Sequence, residues 1–405
     1  MIMKKTLVLL MAAMMMAPGA FAQKKAKKAE VKPEGYIFTT VKANPVTPIK
    51  NQSSSGTCWA FSTISFLESE AIKAGKADTT LNLSEMFIVS RAYSDKAEKY
   101  VRLDGNLNFA GGSDFGDVVT VFKNYGIVPE NEMLGLNYGQ KVHRHAELDA
   151  VLKAYVEAVA KKPMRTLSTA WKRGFEGILS AYLGDVPQKF TVNGKEYTPK
   201  SYEESLGLNL DDYVSLTSFT HHPFYESFVI EVPDNWRWSQ SYNLPMDELE
   251  QVMDYAINNG YTFAWGADVS EKGFTRNGLG VVPDVAAAMK SAGSDQEKWI
   301  GVSKEDKEAA MYNQNAPGKE LEITQEMRQV AFDEGTTTDD HGMHVYGIAK
   351  DQNGTKYYIV KNSWGPSGKY KGIWYVSVPY VKYKTMNILI NKNAIPSEIR
   401  AKLCL

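Results

Sequence analysis

The sequence is poor in cysteine, because its 405 residues include only two, Cys58 and Cys404. Two thiols can form neither a framework of several disulfides nor a cysteine-rich zinc site, so packing must hold the fold together. An excess of one charge is also missing, since 46 lysines and arginines are balanced by 47 aspartates and glutamates. This balance leaves no basic footprint for nucleic acid, and no nucleic-acid partner is expected.

Long apolar runs are absent as well, with one exception near the N-terminus. Lys4 and Lys5 precede an apolar run over residues 7–17, and the small residues Ala20 and Ala22 follow it at the spacing that signal peptidase requires. A helix of that length spans about half of a ~30 Å hydrocarbon core, so the run predicts an excised signal peptide over residues 1–22. We expect export to the periplasm or the extracellular space, with no membrane anchor after cleavage.

The rest of the chain is predicted to contain a flexible leader over residues 23–44 and one α+β domain over residues 45–405. Helical periodicity dominates the first third, where a helix is expected to begin at Cys58. Strand patterns dominate the last third, and the strongest of them is a hairpin around Asn353-Gly354. Helices followed by a mainly antiparallel sheet favour an α+β protein whose site lies between its two halves.

Cys58 occupies a position that favours nucleophilic chemistry. It follows a loop and opens an amphipathic helix, where backbone N–H groups favour the thiolate that attacks carbonyls. Gln52, on the approaching loop, can direct its amide N–H at the oxygen of that carbonyl beside the backbone N–H of Cys58. Those two donors would form an oxyanion hole. On position alone, a buried structural thiol remains the alternative.

Four of the histidines are predicted to be surface residues. They form two pairs in polar segments, His143 with His145 and His221 with His222. No cysteine or carboxylate spacing around either pair completes a zinc site. The sequence therefore indicates neither a metal nor another cofactor.

The other two histidines, His341 and His344, open the first strand of the predicted hairpin. They face opposite sides of the sheet because they are three residues apart on a strand. The returning strand leads to Asn362 and Trp364, close to the start of the hairpin. Asn362 can accept a hydrogen bond from one ring nitrogen of His341, and Trp364 can shield that bond from water. A nucleophile, a base and an orienting residue are thereby available.

Gln52, residues 55–62, residues 340–342 and residues 362–365 form four blocks in chain order. Together they resemble the papain-like cysteine peptidases, which hydrolyse peptide bonds with a Cys-His-Asn triad through a thioester. The resemblance implies an α+β, papain-like two-part fold, with a helical N-terminal half and an antiparallel, β-barrel-like C-terminal half. The catalytic residues that it implies are Cys58, His341, Asn362 and Gln52.

Two departures from the ordinary family pattern resemble the bleomycin hydrolase and aminopeptidase C branch. The thiol and the imidazole lie far apart in sequence, which implies a large insertion at roughly residues 140–260, and Ser55 stands where the ordinary motif has a disulfide cysteine. The branch implies an aminopeptidase acting on peptides and barrel-like homo-hexamers. It also implies that the backbone of Gly111 and Gly112 pairs with extended substrate, although a tight turn is the alternative, and that Trp364 adjoins the substrate.

Two other functions stay open on the sequence alone. The matching blocks end near the last residue, so much of the C-terminal arm that narrows the cleft in this branch is expected to be missing. An endopeptidase with an open cleft is therefore the first alternative. A secreted peptide-binding protein that has lost catalysis is the second, although retention of all four catalytic residue types argues against it. Cys404 is interpreted as a frayed terminal thiol rather than as a redox partner of Cys58.

Overall fold

The computed structural model describes residues 35–162, 166–290, 303–312 and 316–405. The predicted signal peptide over residues 1–22 lies outside these ranges, and its cleavage stays a prediction. Within the ranges, no helix meets the length and hydropathy that a membrane span requires.

Helices supply most of the ordered secondary structure in the first half of the described chain and flank the strands in the second half. Three short 3₁₀ helices are separate elements of the described chain and span Glu130–Glu132, Leu210–Asp212 and Lys392–Ala394. The α-helices are α1 (Cys58–Lys73), α2 (Glu85–Arg102), α3 (Phe115–Tyr125), α4 (Ala146–Ala160), α5 (Ala170–Leu183), α6 (Pro199–Ser205), α7 (Met246–Asn258), α8 (Val285–Lys290), α9 (Lys304–Tyr312), α10 (Gln325–Asp333), α11 (Val378–Lys384) and α12 (Ser397–Lys402).

Local side-chain chemistry explains where two of the early helices begin. The Ser84 hydroxyl accepts a hydrogen bond from the N–H of Phe87 at 3.0 Å and caps α2. Asp114 and Asp117 form a reciprocal capping box at the start of α3. Both starts agree with the sequence-based expectation, because capping residues act within a single turn.

The strands form one large sheet and one small hairpin. The hairpin joins β2 and β3 through Asn193 and Gly194, which both adopt the positive φ that such a turn requires. The strands are β1 (Thr39–Ala43), β2 (Phe190–Val192), β3 (Lys195–Tyr197), β4 (Tyr213–Thr217), β5 (Ser227–Val229), β6 (Gln240–Asn243), β7 (Phe263–Ala267), β8 (Phe274–Thr275), β9 (Leu279–Gly280), β10 (His341–Lys350), β11 (Lys356–Lys361), β12 (Ile373–Ser377) and β13 (Thr385–Asn391).

The large sheet is mainly antiparallel and contains 11 strands. Its path is β5-β6-β4-β13-β7-β10-β11-β12-β9-β8, and β1 pairs with β10 beside that path. Among the described strands the path does not return to its start, so the sheet is open rather than closed as a barrel. The predicted order of a helical part followed by a sheet part is confirmed.

Residues 39–43 belong to the folded domain, and the predicted flexible leader is wrong for this segment. β1 pairs antiparallel with β10, with Thr39 opposite Lys350 and Ala43 opposite Gly347. The ordered domain therefore begins upstream of residue 45. The part of the leader before residue 35 lies outside the described residues, and the extent of the middle insertion stays a prediction.

Two apolar cores meet at α1. One core packs the buried faces of α1 to α5 against each other, and the second packs α7 against the sheet. Helix α1 is buried along most of its length and contacts β10 and β7. The start of α1 is thereby fixed against the start of β10, where the candidate site lies.

Candidate active site

A glycine allows the start of α1 and the start of β10 to approach each other. A Cβ atom at Gly342 would lie 2.7 Å from the Ser62 hydroxyl and 3.4 Å from the carbonyl carbon of Cys58. Any larger residue would push the strand away from the helix. Because His341 precedes Gly342, this contact places the imidazole and the thiol on the same cavity.

The Cys58 thiol is half-buried at the first position of α1. Burial raises its pKa to about 12, although the backbone N–H groups of Gly342 and Trp59 donate to the sulfur and lower the pKa in part. The nearby carboxylates of Asp339 and Asp234 raise the pKa further. Desolvation therefore opposes the predicted thiolate more strongly than the helix N-terminus favours it, and the protonation state of Cys58 stays a prediction.

His341 is buried, and Asn362 fixes its ring. Nε2 of His341 donates to Oδ1 of Asn362 at 2.8 Å, because the amide oxygen can only accept. The proton is thereby held on Nε2, and Nδ1 keeps its lone pair. Burial lowers the pKa of His341 to about 4, and the bond to Asn362 opposes that shift. The ring centroids of Trp364 and His341 lie 4.7 Å apart, so Trp364 stands beside the bond that it is predicted to shield from water.

Gln52 is buried and joins the loop before Cys58 to the segment after Asn362. Its N–H donates to the Ser363 carbonyl at 2.8 Å, and its Oε1 accepts from the Ser363 hydroxyl at 2.6 Å. Its Nε2 donates to the Ser55 carbonyl at 2.9 Å. One hydrogen of that amide stays available for a second acceptor. Gln52 and Asn362 adjoin the cavity rather than line it.

The loop that carries Gly111 and Gly112 is held by buried donors. Trp59 and Tyr93 donate to the Gly111 carbonyl at 3.0 and 3.1 Å. The buried Lys96 ammonium donates to the Gly112 carbonyl at 2.7 Å. Neither glycine has a positive φ, so neither position needs glycine for a left-handed backbone conformation. Gly112 lines the cavity, whereas Gly111 lines a separate cavity together with Asp149.

Sequence reasoning missed two carboxyl groups that line the cavity with Cys58 and His341. Asp234 lies so close to Gly112 that a Cβ atom there would be 1.8 Å from its Oδ2. Its Oδ1 accepts from Asn108 at 3.0 Å, and burial raises its pKa. Asp339 accepts no hydrogen bond from any described residue, and burial together with neighbouring aspartates raises its pKa to about 8.

The charge of this cavity is one-sided. Among the described residues that line it, four are aspartates and none is a lysine or an arginine. Asp340 is satisfied by the N–H groups of Val269 and Ser270, and Asp114 by the amide of Asn387. Asp234 and Asp339 are therefore the carboxyl groups that remain open to a cation. Asp339 could have been predicted to lie in the site, because it is two residues before His341 in the sequence. Asp234 belongs to the predicted insertion, and no neighbouring motif marks it.

The histidine predictions are partly wrong. His344 lies in β10 as expected, and its Nδ1 is 2.8 Å from the Ser65 hydroxyl. His145 is buried rather than exposed, because a bridge between Ser54 and Arg144 draws its segment against the loop before Cys58.

The expectation that no carboxylate accompanies His221 and His222 is also wrong. Nε2 of His221 lies 3.1 Å from Oε2 of Glu231, and Nε2 of His222 lies 3.0 Å from Oε1 of the same residue. One ligand atom from each of the three residues lies within 4.8 Å of the others. Two imidazoles and a carboxylate could hold a metal there, away from the cavity of Cys58.

Comparisons with known proteins agree with the fold. A sequence model described as the Peptidase C1-like family matches residues 3–286. Aminopeptidase G of Lactobacillus delbrueckii subsp. lactis is 21% identical to this chain, and the match covers 87% of this chain and 83% of the relative. Bleomycin hydrolase of Rattus norvegicus is 22% identical, with coverage of 93% and 87% respectively.

A solved structure shows the same architecture. The crystal structure of PepW from Lactobacillus rhamnosis has a TM-score of 0.67 and 18% sequence identity to this chain, and the match covers 90% of this chain and 84% of that one. This likeness confirms the predicted two-part α+β fold. The chain therefore belongs to the Peptidase C1-like family, in the papain-like branch of bleomycin hydrolase and aminopeptidase C, and it is a cysteine-type peptidase.

Proposed function

We propose that the protein is an exported aminopeptidase in which Cys58 is the nucleophile, His341 the general acid and base, and Asn362 the orienting residue. The observation that carries the proposal is the hydrogen bond from His341 Nε2 to Asn362 Oδ1 in a ring that shares a cavity with the Cys58 thiol. That bond leaves Nδ1 as the nitrogen that can take a proton from sulfur.

The reaction would begin from a neutral thiol and a neutral imidazole. Burial disfavours each charge alone, but transfer of the proton from Cys58 Sγ to His341 Nδ1 creates both charges together. The sulfur forms a bond to the peptide carbonyl carbon, and the C–N bond breaks as the leaving amine takes the proton from Nδ1. Water then attacks the thioester carbon and gives a proton to Nδ1. The C–S bond breaks, the acid product leaves, and Nδ1 returns the proton to the sulfur to restore the thiol.

Gln52 and the backbone N–H of Cys58 would stabilise the oxyanion. The three hydrogen bonds that tie Gln52 to Ser363 and Ser55 hold its amide without rearrangement. Preorganised donors of this kind contribute most when they need not move during the reaction.

The aminopeptidase assignment is supported by Asp234. An extended peptide that pairs with the backbone at Gly112 meets the Asp234 carboxyl group at that residue. The group both obstructs a longer chain and offers a negative charge to a free amino terminus. The relatives named above include Aminopeptidase G, which agrees with this choice.

An endopeptidase is the second candidate if Asp234 moves aside when substrate binds. A peptide-binding protein without catalysis is the third, and the His341–Asn362 bond argues against it, because binding alone needs no oriented base. For export, the support is the lysine pair, the apolar run and the small residues before Gln23. Cell fractionation and N-terminal sequencing test export, and a protein that retains residues 1–22 would contradict it. A hexameric assembly stays an expectation from the resemblance.

The decisive assay compares one peptide in two forms, with a free and with an N-acetylated amino terminus. We expect turnover of the free form alone, and equal rates would remove the aminopeptidase assignment. Cys58→Ala should abolish turnover, whereas Cys404→Ser is a matched control that removes the other, exposed thiol. Full activity in Cys58→Ala would overturn the mechanism.

A further inference from the structure

Three metal-ligating side chains converge at a place that peptidase chemistry does not use. His221 and His222 lie in the connection between β4 and β5, and Glu231 follows β5. The two imidazoles approach different oxygens of the one carboxylate, at 3.1 and 3.0 Å. Three sets of contacts explain why the adjacent side chains of His221 and His222 both face Glu231.

The first cause is a buried amide that fixes the backbone of the loop. Nδ2 of Asn243 donates to the carbonyls of Phe219, His222 and Pro223 at 2.7, 2.9 and 3.1 Å. Its Oδ1 accepts from the N–H of Phe219 at 2.9 Å. The conformation of the histidine pair is therefore held by a residue outside the loop.

Aromatic contacts are the second cause, because they orient both rings. The ring of His222 stacks on Phe228, with centroids 4.2 Å apart and planes inclined by 21°. The ring of His221 stacks beside Phe332, at 5.6 Å and 25°. Each imidazole therefore presents its Nε2 to Glu231 from a restricted orientation.

The third cause is a side-chain contact behind one imidazole. The amide oxygen and nitrogen of Gln329 lie 3.4 and 3.1 Å from Nδ1 of His221. Gln329 is itself held, because its oxygen accepts from the N–H of Thr220 at 2.6 Å and its nitrogen donates to Asp333 at 2.8 Å. A metal-binding imidazole usually donates its second ring N–H to an acceptor that orients the ring, and the Gln329 oxygen is the acceptor within reach of Nδ1.

We propose that His221, His222 and Glu231 bind a divalent transition-metal ion of the zinc class. Imidazole nitrogen and carboxylate oxygen are ligands that Zn²⁺ takes at about 2.1 Å, and two such ligands at a tetrahedral angle lie about 3.4 Å apart. The separations of 3.0 and 3.1 Å fall close to that value, so only a small expansion is needed. The two imidazole nitrogens and the two oxygens of Glu231 would supply the four donor atoms. The proposal stands independently of the peptidase reaction.

The experiment is a titration of Zn²⁺ alone into the full chain, followed by isothermal calorimetry. Cys58→Ala and Cys404→Ser are introduced first, so that neither thiol can bind the metal. We expect one equivalent of Zn²⁺, and Co²⁺ at the same site should give visible absorption bands. Thermal unfolding should shift upward as free Zn²⁺ increases.

Three variants assign the binding to these residues. Glu231→Gln and His222→Ala should lose the Zn²⁺ equivalent, and Gln329→Leu should weaken it about 10–100-fold. His143→Ala, at a half-buried histidine outside the group, is the matched control and should bind as before. Absence of Zn²⁺ binding, or binding that survives both Glu231→Gln and His222→Ala, would overturn the proposal and leave a simple imidazole–carboxylate contact.

Discussion

Replacement of Asp234 by asparagine should weaken the preference of the peptidase for substrates with a free amino terminus. The substitution keeps the size of the side chain, and Asn108 can still donate to the remaining oxygen. What disappears is the negative charge beside Gly112. Lys96 is the cation that lowers the pKa of Asp234, and its ammonium is already hydrogen-bonded to the carbonyls of Ala110 and Gly112. Among the described residues, no other cation influences the pKa of Asp234.

The size of the effect follows from the interaction that is lost. A hydrogen bond to a charged group contributes about 1.5–3 kcal/mol. Since about 1.4 kcal/mol corresponds to a factor of ten, kcat/KM for a free peptide should fall about 10–150-fold. The same constant for the N-acetylated peptide should stay level or rise, because that substrate carries no charge at its amino end.

The assay measures kcat/KM for both peptides in the wild type, in Asp234→Asn and in Asp340→Asn. Asp340 is the matched control, because it lines the same cavity but is satisfied by two backbone N–H groups. The Asp340→Asn substitution should leave the preference for a free amino terminus unchanged. If Asp234→Asn keeps the full preference, or if Asp340→Asn removes it equally, a specific role of Asp234 is refuted.

Three further changes have defined outcomes. Gln52→Ala should lower kcat about 10²–10³-fold in a steady-state assay, because one oxyanion donor is lost; an unchanged kcat would exclude that role. Gly126→Ala should destabilise the fold by more than about 1–2 kcal/mol in urea unfolding, since φ is +82° and the new Cβ would lie 2.2 Å from the Pro199 carbonyl oxygen. Gly194→Ala is the control, because φ is +78° there but no atom lies within 4 Å of the new Cβ. It should destabilise the fold only by the backbone strain of the positive φ. Asp339→Asn should raise the unfolding temperature relative to the wild type, and increasingly so from pH 4 to pH 8. The pKa of Asp339 in the folded protein, about 8, lies above its value in the unfolded chain. Deprotonation of Asp339 therefore lowers the stability of the wild type over that window, whereas the variant has no such group. A difference independent of pH would contradict this.

Elements whose causes are local could be predicted from the sequence. The bounds of α7 agree with the expected helix from Met246 to Asn258, because its apolar spacing and the following glycine are both visible. β1 was missed for the opposite reason. Its side chains are mostly exposed, and it is held by backbone bonds to β10, so no alternating pattern marks it. The sequence predicts that the helix after Ser84 ends near Tyr93, but α2 extends to Arg102, since its charged later turns bury Lys96 against the loop of Gly111 and Gly112.

The residues of the candidate site also divide into those that the sequence predicts and those that it does not. Cys58, His341 and Asn362 could be identified because each lies in a short block with a recognisable neighbour. Asp234 and Glu231 could not, because their contacts depend on how the inserted segment folds back onto the rest of the domain. The protonation state of Cys58 could not be predicted for a further reason. A helix start lowers the pKa of a thiol, but the sequence does not report how deeply the thiol is buried.

The central claim is that the Cys58 sulfur forms a covalent bond to the substrate carbonyl with the help of His341. Mass spectrometry of the chain, quenched with acid during turnover of an activated alanine ester, tests it most directly. The account predicts an alanyl group on Cys58 in the wild type and a greatly reduced amount in His341→Ala. Turnover without any adduct on Cys58, or an adduct that forms equally well in His341→Ala, would contradict it.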